Sequence, residues 1–68
     1  MNEEALNQSI RQFLKHVGVH SQREIEKAVS SAIADKSIEG NESFAISMSL
    51  HSAGLKLELN FEGEIRLA

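Results

Sequence analysis

The chain contains no cysteine among its 68 residues, which excludes disulfides, thiolate zinc sites and cysteine nucleophiles. It also lacks any apolar run near the roughly 18 residues of a membrane-crossing helix, or the apolar core of a signal peptide. Together with the acidic start Met1-Asn2-Glu3-Glu4, this leads to the expectation of a cytoplasmic chain that stays off the membrane. Positive charge is sparse and dispersed. Seven Lys+Arg against ten Asp+Glu give a net charge of −3, and Arg11, Lys15, Arg23, Lys27, Lys36, Lys56 and Arg66 form no cluster that would mark a nucleic-acid or anionic-lipid footprint. No glycine-rich phosphate loop, G-x-S-x-G elbow or H-E-x-x-H stretch occurs.

What is present is a globular composition. Hydrophobic residues at 41% and charged residues at 25% argue for a folded chain, organised as a single α+β domain over residues 1–68, rather than a disordered one. A domain of about 60 residues nevertheless buries only about 60% of the surface its unfolded chain exposes. Chains this short lean on disulfides, a structural metal or oligomerisation. With disulfides excluded, oligomerisation is the natural supplement.

The first half has helical periodicity. Asn2 is a good N-cap, and Glu3 and Glu4 complement the positive end of a helix dipole. Leu6, Ile10, Phe13, Leu14 and Val17 recur on one stripe of a 3.6-residue period. Lys15 and His16 suit a helix C-terminus, and Gly18 suits the positive-φ position after it. Ser21 and Glu24 then read as an S-x-x-E capping box opening a second helix, with Ile25, Ala28, Val29, Ala32 and Ile33 as its apolar stripe. The expectation is two N-terminal amphipathic helices, over about 3–17 and 22–35.

The second half has strand periodicity. Phe44, Ile46, Met48 and Leu50 alternate with Ala45, Ser47 and Ser49; Leu55, Leu57, Leu59 and Phe61 alternate with Lys56, Glu58 and Asn60. His51-Ser52-Ala53-Gly54 is the turn candidate. This predicts an antiparallel β-hairpin of strands at about 43–50 and 55–61. Leu50 would oppose Leu55, Met48 Leu57, Ile46 Leu59 and Phe44 Phe61, each apolar residue meeting another. The ribbon could extend to 38–67, bent near Gly40 and Gly63, or break at Gly63 into a short third strand over 64–67. The two helices would cover its apolar face. A two-stranded sheet leaves both edges open and is marginal alone, so a homodimer is expected, through the sheet edge or through an exposed surface of Ala45, Ser47, Ser49, Lys56 and Glu58.

Candidate chemistry is thin. His16 and His20 have the spacing of a metal-binding pair, but Gly18 between them is expected to part them, and His51 sits on a turn. Glu24 with Glu26, or Glu58 with Glu62 and Glu64, could be read as paired carboxylates. The capping box and the solvent face of a strand account for them equally well. Neither catalysis nor a cofactor is expected. Gln22, Arg23 and Lys27 could act in a helix-turn-helix reading DNA, against which stand the acidic balance and the neighbouring glutamates.

The start Met1-Asn2-Glu3-Glu4-Ala5, the run Ile10 to Leu14, Val17-Gly18-Val19, and above all Ser21-Gln22-Arg23-Glu24-Ile25-Glu26-Lys27-Ala28-Val29 resemble a family of short, uncharacterised bacterial proteins. The likeness extends to Glu62-Gly63-Glu64-Ile65. That family has no established activity, so the resemblance implies only a small bacterial protein standing alone. The leading expectation is a non-enzymatic interaction or structural protein, a homodimer with scope for a further protein partner. A nucleic-acid-binding regulator and an accessory subunit of an enzyme are the alternatives.

Overall fold

In the computed structural model, which describes residues 1–68, the chain falls into two units, Met1–Ser37 and Ile38–Ala68. The first holds one helix and the second an antiparallel hairpin.

Helix α1 runs unbroken from Glu3 to Ala34, 32 residues, and replaces the two helices expected from the sequence. Its start is as read: the Asn2 side chain accepts from the Ala5 amide at 3.1 Å, ahead of Glu3 and Glu4. The expected break at Gly18 is absent. Gly18 has no positive φ, and Ser21 caps nothing because it lies inside the helix. The energetics favour continuity. A glycine inside a helix costs about 1 kcal/mol relative to alanine, whereas a break would leave up to four amides and four carbonyls without helical partners. No proline forces such a break. The helix ends in a Schellman arrangement, with the Ser37 amide donating to the Ala32 carbonyl at 2.9 Å and the Lys36 amide to Ile33 at 3.1 Å. Lys36 rather than glycine takes the left-handed position there, at φ 63°.

The hairpin pairs β1 (Ser43–Ser52) with β2 (Leu57–Arg66). Its apolar alternation is as the sequence predicts, but its register is not. Leu50 opposes Leu59, Met48 opposes Phe61, Ile46 opposes Gly63 and Phe44 opposes Ile65. Relative to the expected pairing, β2 has slid along β1 while keeping the apolar residues that remain in the ladder on the same face. The turn is Ala53–Lys56, closed by the Lys56 amide on the Ala53 carbonyl at 3.2 Å. Lys56, at φ 52°, supplies the left-handed residue; Gly54 does not. Leu55 therefore leaves the ladder and stands 75% exposed.

Gly63 lies within β2, so no third strand forms. A Cβ there would sit 3.7 Å from Ile46 Cγ2, an ordinary contact. The extension to Ile38 does not form either. The Glu42 carboxylate folds back onto the amides of Glu39 (2.8 Å), Gly40 (2.8 Å) and Asn41 (3.1 Å), and Gly40 turns at φ 107°. These amides are taken by a side chain and cannot join a ladder, although the Leu67 amide still reaches the Glu42 carbonyl at 3.0 Å.

Neither unit by itself has a core: no residue, apolar or polar, is buried. No helix is long and apolar enough to cross a membrane.

Candidate interaction surfaces

Side chains alternate across a ribbon, so the hairpin has two unlike faces. One carries Phe44, Ile46, Met48 and Leu50 from β1 with Leu57, Leu59, Phe61 and Ile65 from β2. Within the ribbon each of these is covered only by its cross-strand neighbours; Met48 remains 45% and Phe61 56% exposed. Cross-strand apolar pairs stabilise a ribbon, but they leave the outer side of such a face in water.

The other face holds most of the surface expected from the sequence. Ala45, Ser47, Ser49 and Glu58 are brought together there, opposite Glu64, Glu62, Asn60 and His51 respectively. Lys56 is not, since it belongs to the turn. This face satisfies itself: Ser49 Oγ donates to Asn60 Oδ1 at 2.8 Å, and Arg66 Nε stands 3.6 Å from Glu64 Oε1. Its apolar counterpart has no such internal satisfaction.

Helix α1 carries a second apolar surface. Val17, Ser21, Ile25, Val29 and Ala32 are half-buried against their own helix. Leu6, Ile10 and Phe13 continue the line towards the N-terminus, Phe13 at 51% exposure. The line passes straight through Gly18, joining what the sequence reading treats as two stripes. Ser21 is its missed member. The signal was the spacing of four on either side of it, from Val17 and to Ile25, which a capping role would interrupt. From Ile10 the pattern advances in steps of eleven residues, through Phe13 and Val17 to Ser21 and through Ile25 and Ala28 to Ala32. An eleven-residue period drifts opposite to a heptad's left-handed seam.

The polar groups singled out in the sequence are spread along the helix and the ribbon. His16 and His20 share one helical face, contrary to expectation, because the helix does not stop between them. Their rings lie 4.3 Å apart, with His20 Nδ1 2.8 Å from the His16 carbonyl oxygen. No group of three or more His, Cys, Asp or Glu side chains converges to hold a metal. Glu24 reaches Lys27 at 3.7 Å and Glu26 accepts from Gln22 at 3.0 Å. Gln22, Arg23 and Lys27 therefore sit mid-helix, and the helix-turn-helix arrangement expected to present them is not formed. The depression lined by Arg23, Glu26, Lys27, Ser30 and Ser31 is an open hollow on a single helix.

Two carboxylates have a perturbed proton affinity. The amides of Glu39 and Gly40, and more weakly that of Asn41, hold the Glu42 carboxyl below its ordinary value of 4.5. The Ser37 hydroxyl and amide do the same for Asp35. A carboxyl whose folded value is lowered stabilises the fold above its unfolded value, and that contribution is lost as pH falls through the folded one. The hairpin is therefore expected to lose stability on acidification below about pH 4.5. Glu42→Gln should flatten that part of the profile while leaving the Asp35 part in place. Urea unfolding of both chains between pH 3 and 7 checks this.

A family model described as a family of unknown function, DUF6494, covers residues 1–68, the whole chain. No curated protein and no solved structure matches.

Proposed function

The chain belongs to DUF6494, a family of unknown function, and we propose that it is a non-enzymatic cytoplasmic interaction protein whose working form is a homodimer. The observation carrying this reading is the absence of any buried residue from a chain that is 41% hydrophobic. Apolar burial is the dominant favourable term in folding, and a two-stranded ribbon is marginal in water without something packed on it. A second copy supplies that cover. The apolar face of one ribbon packs on that of its partner, with the polar face of Ala45, Ser47, Ser49 and Glu58 outward, available to a further protein.

The exposed face also favours association over catalysis. Catalytic groups need enclosure that perturbs their proton affinities, and the strand glutamates Glu58, Glu62 and Glu64 stand exposed along a ribbon.

Sedimentation equilibrium over a hundredfold range of concentration is the direct test. The expected mass is twice 7.5 kDa, with helix and strand signals lost together on dilution. A folded species of 7.5 kDa throughout would sink the proposal.

A further inference from the structure

We propose that His16 and His20 form a two-imidazole chelate on the surface of helix α1, which takes one divalent cation of the late first transition row, Cu²⁺, Ni²⁺ or Zn²⁺. The site belongs to the helix of a single chain and does not depend on self-association.

The continuity of the helix creates the site. With a break at Gly18 the two side chains would belong to different elements. Within α1 they stand four residues apart, one turn, on the same face. Their ring centroids lie 4.3 Å apart. Two nitrogens bound to one such cation at about 2.0–2.1 Å each lie no more than about 4.2 Å from one another, so rings at this spacing are set to share it. The same separation on a helix supplies the two histidine ligands of H-E-x-x-H zinc sites. Here the residues between are Val17-Gly18-Val19, with no carboxylate to act as a base, so the arrangement binds without hydrolytic chemistry.

A second observation concerns which nitrogen is free. His20 Nδ1 lies 2.8 Å from the His16 carbonyl oxygen. A carbonyl oxygen only accepts, so Nδ1 carries the proton and donates, and Nε2 of the neutral ring keeps the lone pair that a cation needs. Metal-binding histidines are almost always held in this way, by a hydrogen bond from the other ring nitrogen that fixes tautomer and orientation. In α1 the backbone of one ligand orients the ring of the other before any cation arrives.

The surroundings select the class of cation. Both histidines are exposed, each one position before Val17 and Ser21 and so about 100° round the helix from them. Arg23, three residues beyond His20, and Lys15, beside His16, oppose a cation; the net charge of −3 favours one. Glu24 is turned to Lys27 at 3.7 Å, and no third His, Asp or Glu joins the pair. Two imidazoles with water at the remaining positions suit cations that prefer nitrogen, and not Mg²⁺ or Ca²⁺, which take oxygen.

Calorimetric titration of the full chain with Ni²⁺ near neutral pH is the test, with thermal unfolding followed by helical dichroism beside it. Saturation is expected at one Ni²⁺ per chain. His16→Ala and His20→Ala should each weaken binding by at least about tenfold, and His51→Ala, on the ribbon, by less than about threefold. Ni²⁺ at a hundred times its dissociation constant should raise the folded-to-unfolded ratio about a hundredfold, and do so in neither helix variant. Alanine favours a helix, so a lost response in these variants is not a lost helix, and their dichroism verifies it. Absence of saturable binding up to millimolar Ni²⁺, binding that survives either helix substitution, or an equal response to Mg²⁺ would each overturn the chelate. One Ni²⁺ per two chains, lost in both variants, would overturn the single-chain site in favour of histidines shared between copies.

Discussion

Phe61→Ala is expected to weaken self-association by about a thousandfold. Phe61 opposes Met48 at the centre of the ribbon's apolar face and is 56% exposed within its own chain. Covering what remains of such a side chain contributes about 2 kcal/mol, and a twofold interface contains it twice. The loss is then about 4 kcal/mol, close to three decades in the dissociation constant. The same substitution in a monomeric hairpin would remove only a cross-strand pair, about 0.2–1 kcal/mol. Ser47→Ala, on the opposite face across from Glu62, is the control and should shift the constant by less than about threefold, since isolated surface changes stay within about 0.5 kcal/mol. Sedimentation equilibrium of the three chains gives the comparison. Equal constants for Phe61→Ala and Ser47→Ala would remove the apolar face from the interface.

Gly18 offers a second large effect, one whose sign separates one helix from two. Gly18 lies within α1 and an added Cβ meets nothing within 4 Å. Gly18→Ala is therefore expected to stabilise the protein by about 1 kcal/mol, raising the thermal midpoint by about 4–8 °C for a chain of this size. Had Gly18 been the left-handed residue between two helices, the same change would cost about 1–2 kcal/mol. Gly18→Pro should cost about 3 kcal/mol or more, because it removes a hydrogen bond and collides with the preceding turn. Thermal unfolding followed by the helical dichroism signal measures both. A lowered midpoint for Gly18→Ala would contradict a continuous helix.

The misreading at Gly18 has a physical source. Glycine, histidine and an S-x-x-E sequence are each compatible with a helix end and each tolerated inside a helix at modest cost. Local chemistry therefore offered a break without requiring one. The stripe was the better witness, because Val17, Ser21 and Ile25 are evenly spaced only if the helix continues. The turn of the hairpin misleads in a similar way. Gly54 was the residue best suited to a left-handed conformation, yet Lys36 and Lys56 occupy such positions, held there by the hydrogen bonds that close the helix end and the turn.

The interaction surface shows the same division. Ala45, Ser47, Ser49 and Glu58 were legible as one face, since alternation alone assigns it. That the opposite, apolar face stands exposed was not legible, because alternation says which side chains seek cover and nothing about what provides it.

By itself, then, the amino-acid order determined the helical first half with its Asn2 cap, the strand-forming second half, and the face on which each strand residue lies, since these follow from periods of 3.6 and 2. Only the tertiary structure decided that one helix replaces two and that Leu50 faces Leu59 rather than Leu55. Sliding a strand in steps that preserve its face leaves the apolar pattern equally satisfied. The choice falls to backbone groups: the Lys56 amide that closes the turn on Ala53, and the amides that Glu42 withholds from the ladder.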